Sequence, residues 1–499
     1  MNAHLVLLPI LIPLTGAAVG LLLWRAPQAQ RAWSFGALLA SAAASAALLW
    51  AVWTRGPVVF QLGGWAAPFG ISLVGDLLGA TMVIMAQGVL VAGMIYALGC
   101  RDKCATYPAF FPLFLTLTTG LTGTFLTGDI FTLFVFAELL VSSGAVLTAI
   151  SDDRTGAEAA YKYFFISLFA GIFLLSAVGG LYVSYGTLNM ADLAARILSL
   201  SKDAAGAPPL HHMAMVLMFV FFMVKSAVAP FHFWQPDFHT AAPTAVSAML
   251  SSVVVKVGVY GFLRMTTLLF VPQAATLKGL LVVLGVGGVI FGGLAALGTH
   301  NAKRMLAYST LAQIGFILVG IGWGTPVALA AAVVLTVNHS LIKAALLMLA
   351  GAVASRAPIK SAAFANITGL GKSLPGMGVL FFLGGLALAG IPPTNGFIGK
   401  LVLFRGGVLA GGYPALAAIG VASIITLVYV VRAFQLIWWT PPAEGIKAKP
   451  GGDRLLAPTL LIGLCLLLGL WAEPLLRLAN DVAVWLGDPG LYITAVLGG

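Results

Sequence analysis

Long apolar runs, separated by short polar connections, make up almost the whole chain of 499 residues. A helix needs roughly 20 apolar residues to cross the hydrocarbon core of a membrane. About fourteen runs reach that length, so the pattern predicts an all-α integral membrane protein with about fourteen transmembrane helices. The predicted spans are 3–23, 31–53, 74–98, 108–127, 129–150, 160–185, 209–229, 243–270, 276–298, 303–323, 326–354, 375–409, 413–438 and 454–478.

Prolines and glycines interrupt the helical pattern at two places. One break lies at 224–243, which carries three prolines, and the other at 388–400, which carries a Gly-Ile-Pro-Pro sequence. Proline removes a backbone hydrogen bond, and lipid tolerates the loss only where the freed groups face protein or a wet cavity. Interrupted helices at matching positions of two repeats are typical of an ion or substrate site.

The spacing of the two breaks predicts an internal duplication. We expect two five-helix units at 108–270 and 276–438, each with its broken helix in fourth place. Because five is an odd number, the second unit would enter the membrane from the opposite side, and the repeats would be inverted. A three-helix segment at 1–107 precedes them, and a loop with one last helix follows at 439–499.

Charged residues are few, and their positions indicate topology. Only 8% of the residues are charged, which excludes a soluble enzyme, and the net charge of +11 comes from scattered basic residues rather than runs. Fourteen basic residues fall in odd-numbered predicted loops and five in even-numbered ones. Positive loops face the cytoplasm, so both chain ends are expected on the outer side.

Six ionisable residues fall inside predicted spans, away from the helix ends. A charge at the centre of a bilayer costs on the order of 3 kcal/mol on insertion scales. Six such residues would be a needless burden for a scaffold, so the pattern favours an ion pathway. The six are Glu138, Lys225, Lys256, His339, Lys343 and Lys400.

The local patterns around these residues indicate a proton relay. Low dielectric disfavours a charged lysine, so Lys225, one turn before the first break, is suited to release a proton. Glu138 lies in an apolar segment and would tune a neighbouring lysine, whereas His339 and Lys343 share a helix face at i,i+4 spacing. Lys400 follows the second break as the counterpart of Lys225. Structural roles remain as alternatives to the relay: Glu138 could form a structural ion pair, and Lys225 could cap free backbone carbonyls.

Polar residues near these positions are candidates for an entrance or for support. Serines before Lys256 could hold water, an asparagine precedes His339, and the first break carries protonatable side chains. The break residues lack the spacing of a metal site, and three cysteines exclude a disulfide framework and an iron–sulfur site, so we expect no metal and no cofactor. These candidates are Asp129, His232, Asp237, His239, Ser251, Ser252 and Asn338.

Several sequence segments resemble a known superfamily, the antiporter-like subunits shared by Mrp-type cation/proton antiporters and respiratory complex I. These segments are GDIFTLFVFAE, FFMVKSAVAPFHFWQPDFHTAAP, SSVVVKVGVYG, NHSLIKA and IPPTNGFIGK. Within it, LLPILIPL, QLGGWAAPFGI, a lysine at position 400 and DPGLYITAVLGG resemble the D-type subunits of Mrp-type Na+/H+ antiporters. The resemblance implies a proton path through the six ionisable residues. It also implies a place in the plasma membrane and work within a hetero-oligomer of other antiporter subunits.

Three hypotheses for function follow. The first is a proton-translocating subunit of a multisubunit Na+/H+ antiporter, in which the lysines carry protons because an ammonium repels sodium. The second is the same subunit in a redox pump of the complex I or membrane-bound hydrogenase type. The chain has no redox ligands, so any enzyme activity would lie in partner subunits. The third, a quinone- or lipid-binding scaffold, is disfavoured by the six buried ionisable residues.

Overall fold

The computed structural model describes residues 3–151, 153–202, 207–442 and 447–498, most of them in helices. The first ten helices are α1 (Leu8–Leu22), α2 (Pro27–Arg55), α3 (Leu77–Gly99), α4 (Phe110–Leu126), α5 (Ile130–Ala149), α6 (Arg154–Tyr185), α7 (Met190–Lys202), α8 (His211–Lys225), α9 (Trp234–Ala241) and α10 (Thr244–Met249). The others are α11 (Lys256–Arg264), α12 (Ala274–Gly298), α13 (Ala302–Trp323), α14 (Pro326–Ala354), α15 (Phe364–Ile367), α16 (Pro375–Ala389), α17 (Asn395–Leu409), α18 (Tyr413–Phe434), α19 (Leu456–Leu470), α20 (Glu473–Gly487) and α21 (Pro489–Leu497).

Within the described ranges, nine helices are long and apolar enough to cross a membrane. Two further pairs are sharply bent, Phe364–Ser373 with Pro375–Ala389 at 115° and Leu456–Leu470 with Glu473–Gly487 at 80°. Counting each pair as one span raises the number to eleven. The shorter apolar helices α1, α4 and α8 occupy three more predicted spans. The chain is therefore a helical, multi-span membrane protein, and the count of fourteen stays a prediction.

The helices break at both predicted places. After α8 ends at Lys225, the next helix begins at Trp234. After α16 ends at Ala389, α17 begins at Asn395. The C-terminal segment differs from the single last helix expected after residue 439, because α19 stops at Leu470 and two more helices follow. Proline in the first turn of α20 suits a new helix start rather than a continuation.

The even-numbered connections meet on one face of the molecule. Strands β1 (Val58–Gln61) and β2 (Ser72–Gly75) pair antiparallel in the second connection, and β2 bridges to Thr127 in the fourth. Both chain ends lie at this face. The ring of His4 lies 5.1 Å from that of Phe60, and α21 packs against α7 of the sixth connection.

The odd-numbered connections meet on the opposite face. The carboxylate of Asp453, in the connection before α19, accepts hydrogen bonds from Tyr96 Oη at 2.6 Å and from the Arg101 backbone N–H at 2.9 Å. Arg356, from the connection after α14, donates to the Asp453 backbone carbonyl at 3.2 Å. The alternation of connections between two faces is what a chain that crosses a membrane repeatedly requires.

Central helices are enclosed by others on all sides. The segment Thr244–Leu269 is wholly buried and contains α10, α11 and two π-helical turns, Leu250–Val254 and Met265–Leu269. Helix α14 is buried over 94% of its most apolar stretch and packs against α10, α13, α16, α17, α19 and α20. These two central elements carry three of the six ionisable residues singled out in the sequence.

A buried ion pair fastens the C-terminal helices to the centre. Asp76, the N-cap of α3, lies 2.7 Å from Arg264 Nη2 and accepts a 2.8 Å hydrogen bond from Trp485 Nε1 of α20. The guanidinium of Arg264 lies over the rings of Tyr260 and Tyr492, 5.0 and 4.9 Å from their centroids. Arg264 lies near the end of the predicted span 243–270, where its long side chain is expected to extend its charge to the membrane interface. That expectation is wrong, because its side chain is 4% exposed and its charge is met inside the protein.

Replacing Asp76 should destabilise the protein strongly. Asp76→Asn leaves the Arg264 charge buried without its partner, which should lower the free energy of unfolding by about 3–5 kcal/mol. Thermal unfolding of the purified protein in detergent measures the loss. The control Glu473→Gln removes an exposed pair with Arg477, which should change stability by less than about 1 kcal/mol. Equal melting temperatures for the two variants would contradict the role of the buried pair.

Candidate functional site

Lys225 and Glu138 form an ion pair at the first helix break. Lys225 is the last residue of α8, and its Nζ lies 3.9 Å from Glu138 Oε1 of α5. The same Nζ lies 3.5 Å from the backbone carbonyl of Ser167 and 5.1 Å from the centroid of the Phe221 ring. The lysine is buried, so the carboxylate and the carbonyl replace the water that an ammonium would otherwise need.

Glu138 is placed by a glycine on the neighbouring helix. A Cβ atom added to Gly171 of α6 would lie 2.5 Å from Glu138 Oε1, so no larger residue fits beside the carboxylate without moving it. Glu138 Oε1 is buried and has no hydrogen-bond partner among the described residues. The position of the carboxylate therefore depends on the space left by Gly171 and on the attraction of Lys225.

Lys256 and His339 meet at the centre of the protein. Lys256 begins α11 directly after the π-helical turn at Leu250–Val254, and its Nζ contacts Nδ1 of His339 on α14. An ammonium can donate to this nitrogen only when the nitrogen carries no proton. The contact therefore joins two basic nitrogens, of which one donates and the other accepts. Both side chains are fully enclosed.

Lys343 lies one turn after His339 and faces α13. Its Nζ donates to the backbone carbonyl of Leu306 at 2.9 Å and to Ser309 Oγ at 2.7 Å. His339 and Lys343 thus share a helix face, as their spacing predicted, and with Lys256 they form a cluster of three basic groups. Such groups repel one another when charged, so a proton on one disfavours a proton on the next.

Lys400 lies at the second helix break. It belongs to α17, and its Nζ donates at 2.7 Å to the carbonyl of Ala389, the last residue of α16. Gly390 follows with φ of +82°, a left-handed conformation that favours glycine. A Cβ at that position would also lie 2.5 Å from Lys400 Cδ. The glycine therefore both ends the half-helix and leaves space for the lysine chain.

A cavity of about 760 Å³ opens on the odd-connection face. Its lining mixes both charge signs and includes Asp237 of the first break. Asp237 pairs with Arg304 at 3.1 Å and with Lys162 at 3.6 Å. Of the three break residues predicted for an entrance, Asp237 is the one that lines this cavity.

The two histidines of the break have different surroundings. His239 is fully buried, its Nδ1 lies 3.5 Å from Ser247 Oγ, and the charged groups near it are Lys303 and Lys343. The half-buried His232 ring lies 4.8 Å from Phe291 of α12 instead. The break residues therefore have separate partners, and His239 is near Lys303 of the cavity wall and Lys343 of the central cluster.

The predicted support residues are mostly structural. Asp129 caps α5 by accepting a 2.7 Å hydrogen bond from the Thr132 backbone N–H. Ser251 Oγ lies 2.8 Å from Thr310 Oγ1, and the Ser252 carbonyl accepts from Ser340 Oγ at 3.0 Å. These contacts fasten the π-helical turn to α13 and α14.

Two of these residues keep unused polar atoms. Ser252 Oγ and Asn338 Oδ1 are buried without a hydrogen-bond partner among the described residues. Buried polar groups normally have partners, so these two atoms mark places near Lys256 and His339 where a proton carrier could be received.

The six ionisable residues thus fall into three groups: a Glu138–Lys225 pair, a Lys256–His339–Lys343 cluster, and Lys400. A hydrogen bond connects the segments that carry the first two groups, since the side chain of Ser226 donates through Oγ at 3.2 Å to the backbone carbonyl of Val255. Ser226 and Val255 are the chain neighbours of Lys225 and Lys256.

Some buried polar residues escaped the sequence analysis. Lys303 is one of the fourteen basic residues assigned to odd-numbered connections, yet its side chain is buried and its Nζ donates to the Ala242 carbonyl at 3.3 Å. Ser309 and Tyr429 form a 2.9 Å hydrogen bond inside the protein. Their signal was weak, since a serine and a tyrosine in apolar helices carry no formal charge.

Comparison with known proteins places the chain in a family. The family model described as NADH:quinone oxidoreductase/Mrp antiporter, transmembrane, matches residues 127–426. The D-type subunit of the Na(+)/H(+) antiporter of Alkalihalophilus pseudofirmus is 33% identical over 498 residues, which cover 99% of each chain. The chain belongs to the NADH:quinone oxidoreductase/Mrp antiporter family. The resemblance seen in its motifs is confirmed.

Both branches of this family are represented among the relatives. The N-type subunit of the NADH-quinone oxidoreductase of Desulforudis audaxviator is 33% identical, with 95% of this chain and 97% of the relative covered. A chain in the solved Mrp complex from Dietzia sp. DQ12-45-1b superposes with a TM-score of 0.91 at 28% identity, and the match covers 100% of both chains. The fold is therefore that of the family's membrane subunits along its whole length.

Enlarging Gly171 should disturb Glu138 without unfolding the protein. In Gly171→Ala the new methyl group must displace the end of a flexible side chain, which moves the carboxylate relative to Lys225. We expect sodium-dependent proton movement in everted vesicles to fall about tenfold or more, since small misplacements of reacting groups are costly. The control Gly179→Ala, on the same helix, places its methyl group in open space. Equal activity of the two variants would show that the position of Glu138 does not matter.

Proposed function

We propose that the protein is a proton-translocating subunit of a multisubunit Mrp-type Na+/H+ antiporter. The observation that carries this proposal is the presence of four buried lysines, a buried histidine and a half-buried glutamate in three groups inside apolar helices. Ionisable residues inside membrane helices mark ion paths by default. The relative from Alkalihalophilus pseudofirmus carries the same activity in its name.

Protons would move along the three groups as changes of lysine charge. A proton that binds the amine of Lys225 converts it to an ammonium and strengthens its pairing with Glu138. Its release toward Lys256 leaves a neutral amine beside the carboxylate. The contact between Lys256 and His339 suits transfer, because either nitrogen can hold a proton. An ammonium repels Na+, so sodium would pass elsewhere in the complex.

The cavity on the odd-connection face is the proposed proton entrance. Asp237 and Lys303 line it, and the buried His239 is near both Lys303 and Lys343. The excess of basic residues in the odd connections would place this face in the cytoplasm. The protein would then lie in the plasma membrane with both chain ends on the outer side, since both ends lie on the even-connection face.

The two breaks support the proposed inverted repeats, 108–270 and 276–438. In the first, Lys225 is itself the last residue of a half-helix; in the second, Lys400 binds the last carbonyl of a half-helix. In both proposed repeats a lysine lies at the carbonyl end of a half-helix, as expected for duplicated ion sites. Residues 1–107 and 439–499 would pack around this pair of units.

The proposal places the subunit in a hetero-oligomer. The Glu138 side chain is 21% exposed on a helix whose neighbouring surface carries Phe131 and Val135. A carboxylate near lipid is unfavourable, so another antiporter subunit would cover this face.

A second candidate is the same proton path in a redox-driven pump. The 33% identity to a membrane subunit of an NADH-quinone oxidoreductase favours it specifically. Purification of the native complex separates the two: small antiporter subunits support the first proposal, and iron–sulfur subunits support the second.

Lys225→Ala should abolish antiport while the complex still assembles. The change removes a proton carrier, and it also removes a charge that is costly to bury, so folding should survive. Sodium-dependent pH changes in everted vesicles should fall to background, and immunoblots should show normal amounts of protein. Lys278→Ala, a half-buried lysine away from the three groups, is the control and should behave as wild type. Wild-type pH changes in Lys225→Ala would refute the assignment.

Glu138→Gln should be nearly as damaging as Glu138→Ala, and Glu138→Asp should keep partial activity. The negative charge, rather than the hydrogen-bonding shape, tunes Lys225. The same vesicle assay ranks the three variants. A fully active Gln variant would point to a structural role for the carboxyl group.

A further inference from the structure

A set of uncharged polar side chains lies between Lys343 and Lys400, which belong to different helices of the second proposed repeat. Ser309 Oγ of α13 accepts from Lys343 Nζ at 2.7 Å and from Tyr429 Oη of α18 at 2.9 Å. Tyr429 is 1% exposed, and Ser309 is fully buried. A lysine, a serine and a tyrosine are thus joined by two short hydrogen bonds in the buried interior.

The polar contacts continue from Tyr429 to the second helix break. Gln313 lies one turn after Ser309 on α13, and its side chain and that of Thr426 interact with the Tyr429 hydroxyl. Gln313 Nε2 donates to the Leu388 carbonyl at 3.3 Å. The next carbonyl, that of Ala389, binds Lys400 Nζ.

Burying these polar groups costs free energy that apolar residues of the same shape would not cost, which argues for a functional role. A phenylalanine would fill the space of Tyr429 with no polar group to satisfy, and an alanine would serve at Ser309 in a packed apolar helix. Both hydroxyls can donate and accept, which is the property a proton carrier needs. The amide of Gln313 instead holds the end of α16 in place.

We propose that Ser309 and Tyr429 form a hydroxyl bridge that carries protons between Lys343 and Lys400, with Gln313 as a positioning residue. The inference rests on the proposed proton path. The hydroxyl of Tyr429 first turns, so that Ser309 donates to Tyr429 Oη. The Lys343 ammonium then gives a proton to Ser309 Oγ, whose own proton passes to Tyr429 Oη. Tyr429 releases its proton, through an intervening water molecule, to the neutral amine of Lys400. Lys343 becomes an amine, Lys400 an ammonium, and both hydroxyls end neutral.

Tyr429→Phe tests the bridge, because it removes one oxygen and keeps the ring. In everted vesicles with the complete complex, antiport should fall about tenfold or more, a modest loss for a removed proton carrier. The ratio of rates in H2O and D2O should rise, because proton transfer becomes limiting. A packing defect would reduce the number of active complexes and leave this ratio unchanged. Tyr308→Phe removes a hydroxyl from the adjacent residue of α13, whose half-buried ring contacts Phe291, and should have no effect.

Ser309 gives a second, independent test. Ser309→Ala should lower the rate and raise the isotope ratio as Tyr429→Phe does, and Ser309→Thr should restore both by returning a hydroxyl. Lys343→Ala and Lys400→Ala test the proposed proton path, whereas the two hydroxyl variants test the bridge within it. Loss of antiport in both lysine variants, together with wild-type rates and isotope ratios in Tyr429→Phe and Ser309→Ala, would overturn the bridge alone. Full antiport in the lysine variants would overturn the proposed path as well.

Discussion

Burial of basic side chains away from the aqueous surface is the constraint on which the centre of this protein depends. Each of the four lysines among the six ionisable residues meets an electron-rich group from another part of the chain. The groups are a carboxylate for Lys225, an imidazole nitrogen for Lys256, a carbonyl and a hydroxyl for Lys343, and a carbonyl for Lys400. A buried charge without such a partner is strongly destabilising. The helices around them are arranged so that these partners arrive from α5, α13, α14 and α16.

The helix breaks supply part of this compensation. The C-terminus of a helix carries a partial negative charge from its unpaired carbonyls. Lys225 occupies such a terminus, whereas Lys400 reaches one from the following half-helix. The two lysines differ in their position relative to the breaks, and both have their charge beside a helix end. The carbonyls left unpaired by a helix break and the charge of a nearby lysine therefore compensate each other.

The sequence predicted the features that follow from strong local signals. Apolar runs located the helices, prolines and glycines located the breaks, and the rarity of charge in apolar helices singled out the six ionisable residues. The i,i+4 spacing of His339 and Lys343 correctly placed them on one face. The bend after Leu470 was missed, because the apolar run continues across it and its proline lies just inside the next helix.

Contacts between distant parts of the chain could not be read from the sequence. Asp76 and Arg264 are 188 residues apart, and each alone resembles an interfacial charge at the end of a span. Lys303 resembles a loop residue until α9 and α10 cover it. Neither Tyr429 nor Ser309 is distinctive in the sequence of its own helix, and their hydrogen bond depends on the packing of α13 against α18. Tertiary packing, rather than local pattern, determines which polar residues share an environment.

The π-helical turn before Lys256 has a consequence for how this chain can change in evolution. A π turn holds one residue more than an α-helical turn, and each residue of an α-helix advances the side chains by about 100°. Loss of one residue within Leu250–Val254 would allow a regular helix, and it would also rotate α11 by roughly that angle. Lys256 would leave His339, and Arg264 would leave Asp76. Natural length variation is therefore expected in the surface connections and not in this buried turn, although the turn is the least regular part of its helix.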